Sequence, residues 1–331
     1  MKPRILNTIG NIYAEKAKKI LASFASVDYK NLEQEEFTKI IKDYDILLVG
    51  LGLKIGRKEI DAGKNLKIIA TATTGLDHID IPYAESKGIK ILSLRGENKF
   101  LDTITGTAEL SVGLMISLMR FIPQSFDSVK SGNWDRNSFK GNSLLGKTVG
   151  VVGLGRLGKM TARYCEGFGM KVLFCDPFVK NCPNKKWEKA SFDKLLKDSD
   201  VVSIHVHLNK DTENMFDNFA FKKMKPTAFL INTSRGKIVS EKDLIHALEE
   251  KGIAGYATDV LSGELDFRGR FENNPLVEYS KRNKNVVVVP HIGGVTHESR
   301  EATDIFIAEK IKKNLKKSYG CKKENKNKKK T

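Results

Sequence analysis

Residues 148–176 read TVGVVGLGRLGKMTARYCEGFGMKVLFCD, and this segment contains the strongest fold signal in the chain. The apolar run Thr148–Gly153 predicts a buried strand, and the amphipathic run Lys159–Phe168 predicts a helix. A second apolar run, Lys171–Asp176, predicts the next strand. A strand, a glycine-rich turn, a helix and a second strand in this order are typical of a βαβ unit in a parallel sheet.

The same alternation of apolar runs and helical patterns continues on both sides of this unit. Strands are predicted before it at Arg4–Asn7, Asp45–Val49, Lys67–Ala72 and Lys90–Ser93, and after it at Val201–Val206, Ala228–Thr233, Ile253–Asp259 and Val286–Pro290. The clearest further helices are predicted at Tyr13–Phe24, Glu35–Lys42, Thr103–Met119, Glu241–Lys251 and Thr296–Lys317. Runs that are apolar throughout suit strands buried between two helix layers. We therefore predict an α/β protein with two doubly wound parallel-sheet domains, Rossmann or flavodoxin-like, and a cleft between them.

Length and composition agree with a two-domain globular protein. The 331 residues correspond to two domains at roughly 150 residues each, and 40% are hydrophobic and 29% charged. The richest apolar run, Val112–Met119, is far shorter than the roughly 20 residues of a membrane span. The four cysteines form no C-x-x-C pair and are too few for a disulfide framework. With no apolar leader at the N-terminus, we expect a cytoplasmic protein without a membrane partner.

The positive charge is concentrated at the C-terminus. Residues 310–331 contain eleven lysines and one glutamate, so they carry +10 of the formal net charge of +17. Such a run can contact nucleic acid or an anionic membrane, or it can be a solvated terminus. No zinc-ligand spacing, aromatic-interleaved basic stretch or helix-turn-helix pattern supports nucleic-acid binding. We predict that residues 321–331 form a basic, disordered tail.

The glycine-rich turn of the central βαβ unit has the spacing of a dinucleotide fingerprint. In G-x-G-x-x-G, the first glycine permits the tight turn, the second admits a pyrophosphate and the third allows the helix to pack closely. Asp176 follows the first glycine by 23 residues and ends the next strand. Its carboxylate can accept hydrogen bonds from ribose hydroxyls and repels a 2′-phosphate, so NAD is favoured over NADP. The predicted contacts are Gly153, Gly155, Arg156, Leu157, Gly158 and Asp176.

Three further segments follow predicted strands at their C-terminal ends, where ligands bind in open α/β sheets. They are Asn232–Gly236 (NTSRG), Asp259–Glu264 (DVLSGE) and Pro290–Gly294 (PHIGG). Together with the fingerprint, these motifs resemble those of the D-isomer-specific 2-hydroxyacid dehydrogenases, over about residues 40–315. The resemblance implies NAD-linked interconversion of a D-2-hydroxy acid and a 2-oxo acid, by a homodimer. It also implies a substrate-binding domain of residues 1–98 plus 292–320 and a Rossmann domain of residues 99–291.

The resemblance assigns the chemistry to three side chains. His291 matches the acid–base histidine, a residue type that exchanges a proton near neutral pH. Glu264 matches the acid beside it, which favours the imidazolium form and orients the ring. Arg235 matches the arginine whose planar guanidinium binds the carboxylate and polarises the carbonyl group of the 2-oxo acid. Asp259 matches a position that contacts the nicotinamide.

Other contacts follow from the resemblance alone. The remaining cofactor contacts are expected at His205, Thr212, Thr233, Gly293 and Gly294. The loop after the strand Lys67–Ala72 resembles the family's carboxylate-binding loop, with Thr74, Gly75 and Leu76 as substrate contacts and a plain structural turn as the rival interpretation. The sequence departs from the family at Leu110, where relatives have histidine, and at His207, where they have proline. No metal site is predicted.

The sequence leaves the substrate open. The candidates are 3-phosphoglycerate with 3-phosphohydroxypyruvate, for which Arg95, Asn98 and Lys99 suggest a distal phosphate contact, and other small D-2-hydroxy acids. One alternative is an NADPH-preferring glyoxylate or hydroxypyruvate reductase. Another is a non-enzymatic NAD sensor of the corepressor type, with the basic tail as its contact element.

Overall fold

The computed structural model describes residues 2–182, 184–264 and 273–327, with side chains as far as Lys316. The chain divides into two compact units. Unit 1 comprises the residues up to Ile104 and those from His297 onward, and unit 2 comprises Thr105–Thr296. The two divisions fall at helix starts, a few residues after the expected boundaries at 98/99 and 291/292.

Unit 1 contains a parallel sheet with helices between its strands. The strands are β1 (Arg4–Asn7), β2 (Ser26–Tyr29), β3 (Ile46–Leu48), β4 (Ile68–Ala70) and β5 (Lys90–Leu92). The helices are α1 (Glu15–Ala22), α2 (Gln34–Ile40), α3 (Arg57–Ala62), α4 (Ile81–Ser86), α5 (Asn98–Leu101) and α13 (His297–Asn327). The strand order is β2-β1-β3-β4-β5, which is that of flavodoxin-like folds.

Strand β2 is absent from the sequence-based prediction. It pairs with β1 alone, at the edge of the sheet, and none of its residues is buried. An edge strand needs no continuous apolar run, because it is not enclosed between two helix layers. Its sequence, SVDY, therefore gives no strong periodic signal.

The final helix, α13, packs within unit 1. It begins at His297, one residue after its predicted start at Thr296. Its buried residues Ile307, Ala308 and Ile311 share a core with Ala17 and Leu21 of α1. The helix continues to Asn327, past its predicted end at Lys317, and thus includes part of the segment predicted to be an irregular tail. Lysine and glutamate are good helix formers, which allows this extension. Residues 328–331 lie outside the described residues.

Unit 2 contains the larger parallel sheet. Its strands are β6 (Thr148–Val152), β7 (Lys171–Cys175), β8 (Glu188–Lys189), β9 (Val201–Ile204), β10 (Phe229–Asn232), β11 (Gly255–Thr258) and β12 (Val286–Val288). Its helices are α6 (Gly106–Met119), α7 (Ile122–Lys130), α8 (Arg156–Gly167), α9 (Phe192–Asp198), α10 (Asn218–Lys223), α11 (Glu241–Glu249) and α12 (Pro275–Arg282). One face of the sheet packs on α6 and α8, and the other packs on α9 to α12.

The strand order of unit 2 locates its ligand crevice. The order is β12-β11-β10-β9-β6-β7-β8, with every described pairing parallel. The chain runs from β6 outward through β7 to β8, and then returns to β9 on the other side of β6. Ligands of open α/β sheets bind at such a reversal, beyond the carboxyl ends of the strands. The loops after β6 and β9 therefore border the crevice.

Both units are thus doubly wound parallel α/β structures, as predicted. Helices of unit 1 lie on both faces of its sheet, with α2, α3 and α4 on one face and α1 and α13 on the other. Among the described residues, no helix has both the length and the apolar character needed to cross a bilayer.

Candidate functional site

The turn between β6 and α8 requires glycine at two of its three fingerprint positions. Gly153 has a φ of 91°, and a Cβ atom there would lie 2.6 Å from the carbonyl oxygen of His205. A Cβ atom on Gly158 would lie 2.0 Å from the carbonyl oxygen of Gly153. Side chains are therefore excluded by the backbone of the turn and of the neighbouring strand end.

Gly155 differs, because a Cβ atom there would meet no atom within 4 Å. It is the N-cap residue of α8, so open space lies directly beside the N-terminus of a twelve-residue helix. The N–H groups and dipole of such a helix end attract a phosphate. The turn thus has the open, electropositive cradle that a dinucleotide pyrophosphate needs.

Asp176 lies beside this turn. One carboxylate oxygen accepts a hydrogen bond from the N–H of Leu154 at 2.8 Å, and the other accepts from the N–H of Phe178 at 2.8 Å. These two bonds hold the carboxylate next to the glycine turn, and each oxygen retains a lone pair. The arrangement suits acceptance of ribose hydroxyl hydrogen bonds.

The His205 side chain does not present a polar edge to a ligand. Its Nε2 atom lies 2.8 Å from Ser203 Oγ, and its Nδ1 atom is buried without a hydrogen-bond partner in the described structure. Burial lowers the pKa of this imidazole to about 4, so the ring is neutral. Its carbonyl oxygen forms the wall against Gly153, so any contribution to the cofactor site comes from the backbone.

Two of the other expected cofactor residues use their side chains within the protein. Thr212 Oγ1 donates to the carbonyl oxygen of His207 at 2.6 Å and closes the loop after β9. The Thr233 and Ser111 hydroxyl oxygens lie 2.7 Å apart, which directs the threonine side chain toward α6. The backbone of Thr233 is the part that can face a ligand. Whether these residues contact the cofactor stays a prediction.

Arg235 lies in a loop that is organised by a buried asparagine. Asn232 ends β10, and its amide nitrogen donates to the carbonyl oxygen of Arg235 at 3.0 Å. Its amide oxygen accepts from the N–H of Ser234 at 3.0 Å. The guanidinium of Arg235 donates to the carbonyl oxygen of Ser234 at 2.8 Å. That Asn232 holds this loop was not predicted from the sequence. An amide side chain at the end of an otherwise apolar strand is the feature that could have indicated it.

The Arg235 loop packs directly on the loop that contains Glu264. A Cβ atom on Gly236 would lie 2.1 Å from the carbonyl carbon of Leu261 and 2.3 Å from the nitrogen of Ser262. Glycine at this position is therefore required for two loops from neighbouring strands, β10 and β11, to touch through their backbones.

Glu264 and His291 form a hydrogen-bonded pair. The distance from His291 Nδ1 to Glu264 Oε1 is 2.8 Å, and the two side chains are 29% and 20% exposed. The second carboxylate oxygen of Glu264 accepts from the N–H of Leu261 at 3.2 Å. With Nδ1 engaged, Nε2 is the ring atom that can exchange a proton with a bound molecule. The pair is partly accessible, as proton transfer requires.

The backbone around His291 is held by Asp259. His291 has a φ of 51°, a left-handed conformation that is uncommon outside glycine. Its N–H donates to the carbonyl oxygen of Asp259 at 2.9 Å, while the buried carboxylate accepts from the N–H groups of Ile292 and Gly293 at 2.6 and 2.8 Å. Burial raises the pKa of Asp259 despite these bonds. A Cβ atom on Gly293 would lie 2.9 Å from this carboxylate, whereas Gly294 borders open space.

In unit 1, the expected substrate loop has free donors. Thr73 Oγ1 donates to the carbonyl oxygen of Gly75 at 2.7 Å, which tightens the turn after β4. Within the described chain, the N–H groups of Thr74, Gly75 and Leu76 donate to no protein acceptor. Leu76 is buried, so it can offer only its backbone. Arg95 Nε lies 3.4 Å from the carbonyl oxygen of Thr74, and its side chain is exposed.

Two further observations concern metal ligands and Leu110. Where the structure describes the chain, no group of three or more histidine, cysteine, aspartate or glutamate side chains is arranged to hold a metal ion. Leu110, at a position where the resemblance implies histidine, packs against the core shared by α6 and α8.

Comparison with known proteins identifies relatives of both sequence and fold. Residues 112–293 match the family model for the NAD-binding domain of D-isomer-specific 2-hydroxyacid dehydrogenases. A hydroxypyruvate reductase of Thermotoga maritima is 38% identical over 293 residues, which are 87% of this chain and 90% of the relative. A D-3-phosphoglycerate dehydrogenase of Methanocaldococcus jannaschii is 35% identical over 91% of this chain, but only 56% of that protein is covered.

A solved structure agrees with these relatives. The D-lactate dehydrogenase of Aquifex aeolicus, in complex with NAD and lactic acid, has a TM-score of 0.83 and 26% identity, with 96% of each chain covered. The predicted cofactor, NAD, is confirmed by the family match. The open cradle at Gly155 and the ribose-side carboxylate of Asp176 fit that cofactor.

Proposed function

Because the chain belongs to the D-isomer-specific 2-hydroxyacid dehydrogenase family, we propose that it interconverts a small D-2-hydroxy acid and its 2-oxo acid with NAD(H). The observation that carries the proposal is the His291–Glu264 pair. It lies at the carboxyl ends of the same parallel sheet that bears the glycine cradle, with Arg235 on the neighbouring loop.

The pair supplies the proton in this proposal. NADH, which the turn at Gly155 and Asp176 would hold, would supply the hydride for C2 of the 2-oxo acid. The Nε2–H group of protonated His291 donates its proton to the C2 oxygen, and the carboxylate of Glu264 stabilises the imidazolium through Nδ1. In the oxidative direction, neutral Nε2 accepts the hydroxyl proton. Asp259 keeps the ring in place through the backbone bonds on either side of it.

Arg235 binds the acid in this proposal. The planar guanidinium can donate to a carboxylate and to the carbonyl oxygen that becomes negative during reduction. The N–H groups of Thr74, Gly75 and Leu76 are donors of the kind that bind a carboxylate.

Arg95 favours a substrate with a second anionic group. Its guanidinium lies against the Thr74 carbonyl oxygen with its other donors exposed, and the side chains of Asn98 and Lys99 are exposed close to it in the chain. A phosphorylated acid such as 3-phosphohydroxypyruvate has the matching charge. Hydroxypyruvate and glyoxylate form the second candidate class, because a relative that is 38% identical to this chain is a hydroxypyruvate reductase.

The proposed function is tested by following NADH oxidation with a panel of 2-oxo acids. We expect turnover, with kcat/KM at least about tenfold higher for 3-phosphohydroxypyruvate than for glyoxylate, since one charge-assisted contact contributes about 1.5–3 kcal/mol. NADH should be preferred to NADPH, because Asp176 repels the 2′-phosphate. Tight NADH binding without oxidation by any acid would refute the enzymatic proposal and favour a non-enzymatic NAD-binding role. Preference for the unphosphorylated acids would refute only the role of Arg95.

We also propose that the protein is a homodimer, on the basis of an exposed apolar face on α7. None of the residues of this helix is buried. Ile122, Phe126 and Val129 are 47%, 62% and 49% exposed, and Trp134 beyond the helix is 91% exposed. Apolar side chains clustered in this way are typical of a protein interface.

Sedimentation analysis should therefore give a dimer that Phe126→Asp converts to monomer, because a buried unpaired charge destabilises an interface. The matched control is Phe219→Asp, on an exposed phenylalanine of α10. A monomeric wild-type protein, or a dimer that tolerates Phe126→Asp, would contradict an interface on α7.

A further inference from the structure

We propose that Glu241 is a positioning residue for the Glu264–His291 pair, an inference that rests on the proposed function. Glu241 is the first residue of α11 and contacts neither member of the pair through a described hydrogen bond. It acts instead on the loop that holds Glu264.

Glu241 binds the segment that precedes Glu264. Its Oε1 atom accepts a hydrogen bond from the N–H of Ser262 at 2.7 Å. Ser262 lies in the loop after β11, so this carboxylate joins the start of α11 to the loop that contains Glu264.

The position of this bond explains its effect on the pair. Ser262 is two residues before Glu264, and Leu261 donates its N–H to the second oxygen of Glu264 at 3.2 Å. Gly236 packs against the same Leu261–Ser262 peptide. The peptide thus contacts both α11 and the Arg235 loop, and the N–H of Leu261 in turn binds the carboxylate that orients His291. Without Glu241, one of these two supports is removed.

The electrostatic environment of Glu241 indicates that its carboxylate is held by the protein and is not simply exposed to solvent. Burial raises the pKa of Glu241, and the negative charge of Glu264 acts in the same direction. The hydrogen bond from Ser262 and the nearby side chain of Asn274 oppose this rise in pKa and stabilise the ionised form. Partial burial of a carboxylate near a second carboxylate destabilises the folded state unless hydrogen bonds compensate for it. The bond to Ser262 provides this compensation.

The test compares Glu241→Ala, Glu241→Gln and the control Glu249→Ala, an exposed acid at the other end of α11. We expect Glu241→Ala to lower kcat by about tenfold or more, as is usual when the partner of a catalytic group is misplaced. The KM for the 2-oxo acid and the Kd for NADH should change by less than about threefold. Glu241→Gln retains an oxygen for Ser262 and should recover most of the rate, and Glu249→Ala should match the wild type.

A second readout does not depend on activity. In protein with 15N-labelled histidine, the ring signals of His291 are identified by their absence in His291→Ala. They should shift in Glu241→Ala and stay in place in Glu249→Ala, because loss of the support at Ser262 changes the Glu264 hydrogen bond. If Glu241→Ala does not fold, Glu241→Asp replaces it, since the shorter side chain withdraws the carboxylate from the N–H of Ser262 and keeps a negative charge in the first turn of α11.

The outcomes separate the two proposals. An active wild type whose Glu241→Ala variant keeps kcat within twofold and an unchanged His291 signal would overturn the positioning role alone. A Glu241→Ala variant in which kcat, the affinity for NADH and the melting temperature all decrease would also overturn the positioning role, because such a pattern indicates general destabilisation. A wild type that reduces no 2-oxo acid would refute the proposed function, and the His291 signal would then decide whether Glu241 orients the pair.

Discussion

Replacement of His291 with alanine is expected to lower kcat by on the order of a hundredfold or more, with the Kd for NADH almost unchanged. The imidazole is the group we propose to exchange the proton with the substrate oxygen, and its Nδ1 atom is already engaged by Glu264 at 2.8 Å. The glycine cradle and Asp176 lie on other loops, so they should bind NADH without it. The measurements are steady-state turnover of the preferred 2-oxo acid and fluorescence titration with NADH.

Two variants control this experiment. His291→Asn tests the side chain at constant backbone, because asparagine tolerates the left-handed conformation that alanine adopts less readily. His246→Ala removes an exposed histidine from α11 and should retain full activity. If His291→Asn and His291→Ala lose NADH affinity in step with turnover, His291 is structural and the assigned acid–base role is wrong.

Replacement of Arg235 with glutamine is expected to lower kcat/KM for the 2-oxo acid by roughly 10²–10³-fold. The loss corresponds to about 3–4 kcal/mol, which is typical for removal of one donor to a developing oxyanion. Arg235→Lys should recover part of the rate, because it restores the charge but not the planar pair of donors. Initial rates at subsaturating 2-oxo acid and saturating NADH give this quantity directly.

The matched control for Arg235 is Arg163→Gln, on an exposed face of α8. It should leave kcat/KM within about twofold of the wild type. Activity of Arg235→Gln close to that of the wild type would show that the guanidinium does not touch the reacting acid. Melting temperatures identify any variant whose loss of rate reflects instability of the Ser234–Arg235 turn.

Strands were predictable where both of their faces are buried. The missed elements, β2 and α7, have residues that are not buried in the core. Strands β6, β9 and β10 consist mostly of apolar residues because they lie between helix layers, and the sequence predicts all three. Strand β2 lies at a sheet edge and gives no such run. Helix α7 has an apolar face that no described residue buries, so its sequence lies outside the core pattern.

The site residues divide in a similar way. The three catalytic candidates were named from motifs, and the structure brings Glu264 and His291 into contact across 27 residues of sequence. The supports were not predicted. Asn232 and Glu241 act on loops that come together only when β10 and β11 pair. The spacing of residues along the sequence does not predict such a contact. Convergence of Arg235 and His291 on one substrate carbon stays a prediction.

The amino-acid sequence was sufficient for the α/β class, the dinucleotide turn and the loops that contain the candidate chemistry. Periodicity, glycine spacing and strand-end motifs are local properties, and short-range sterics and burial dictate them. The tertiary structure alone defines the contacts of these residues. It gives His291 its left-handed backbone, brings the carboxylate of Asp259 to the N–H of Ile292, and brings the carboxylate of Glu241 to the N–H of Ser262. These contacts join segments far apart in the chain, so their geometry follows from the packing of the whole sheet and its helices.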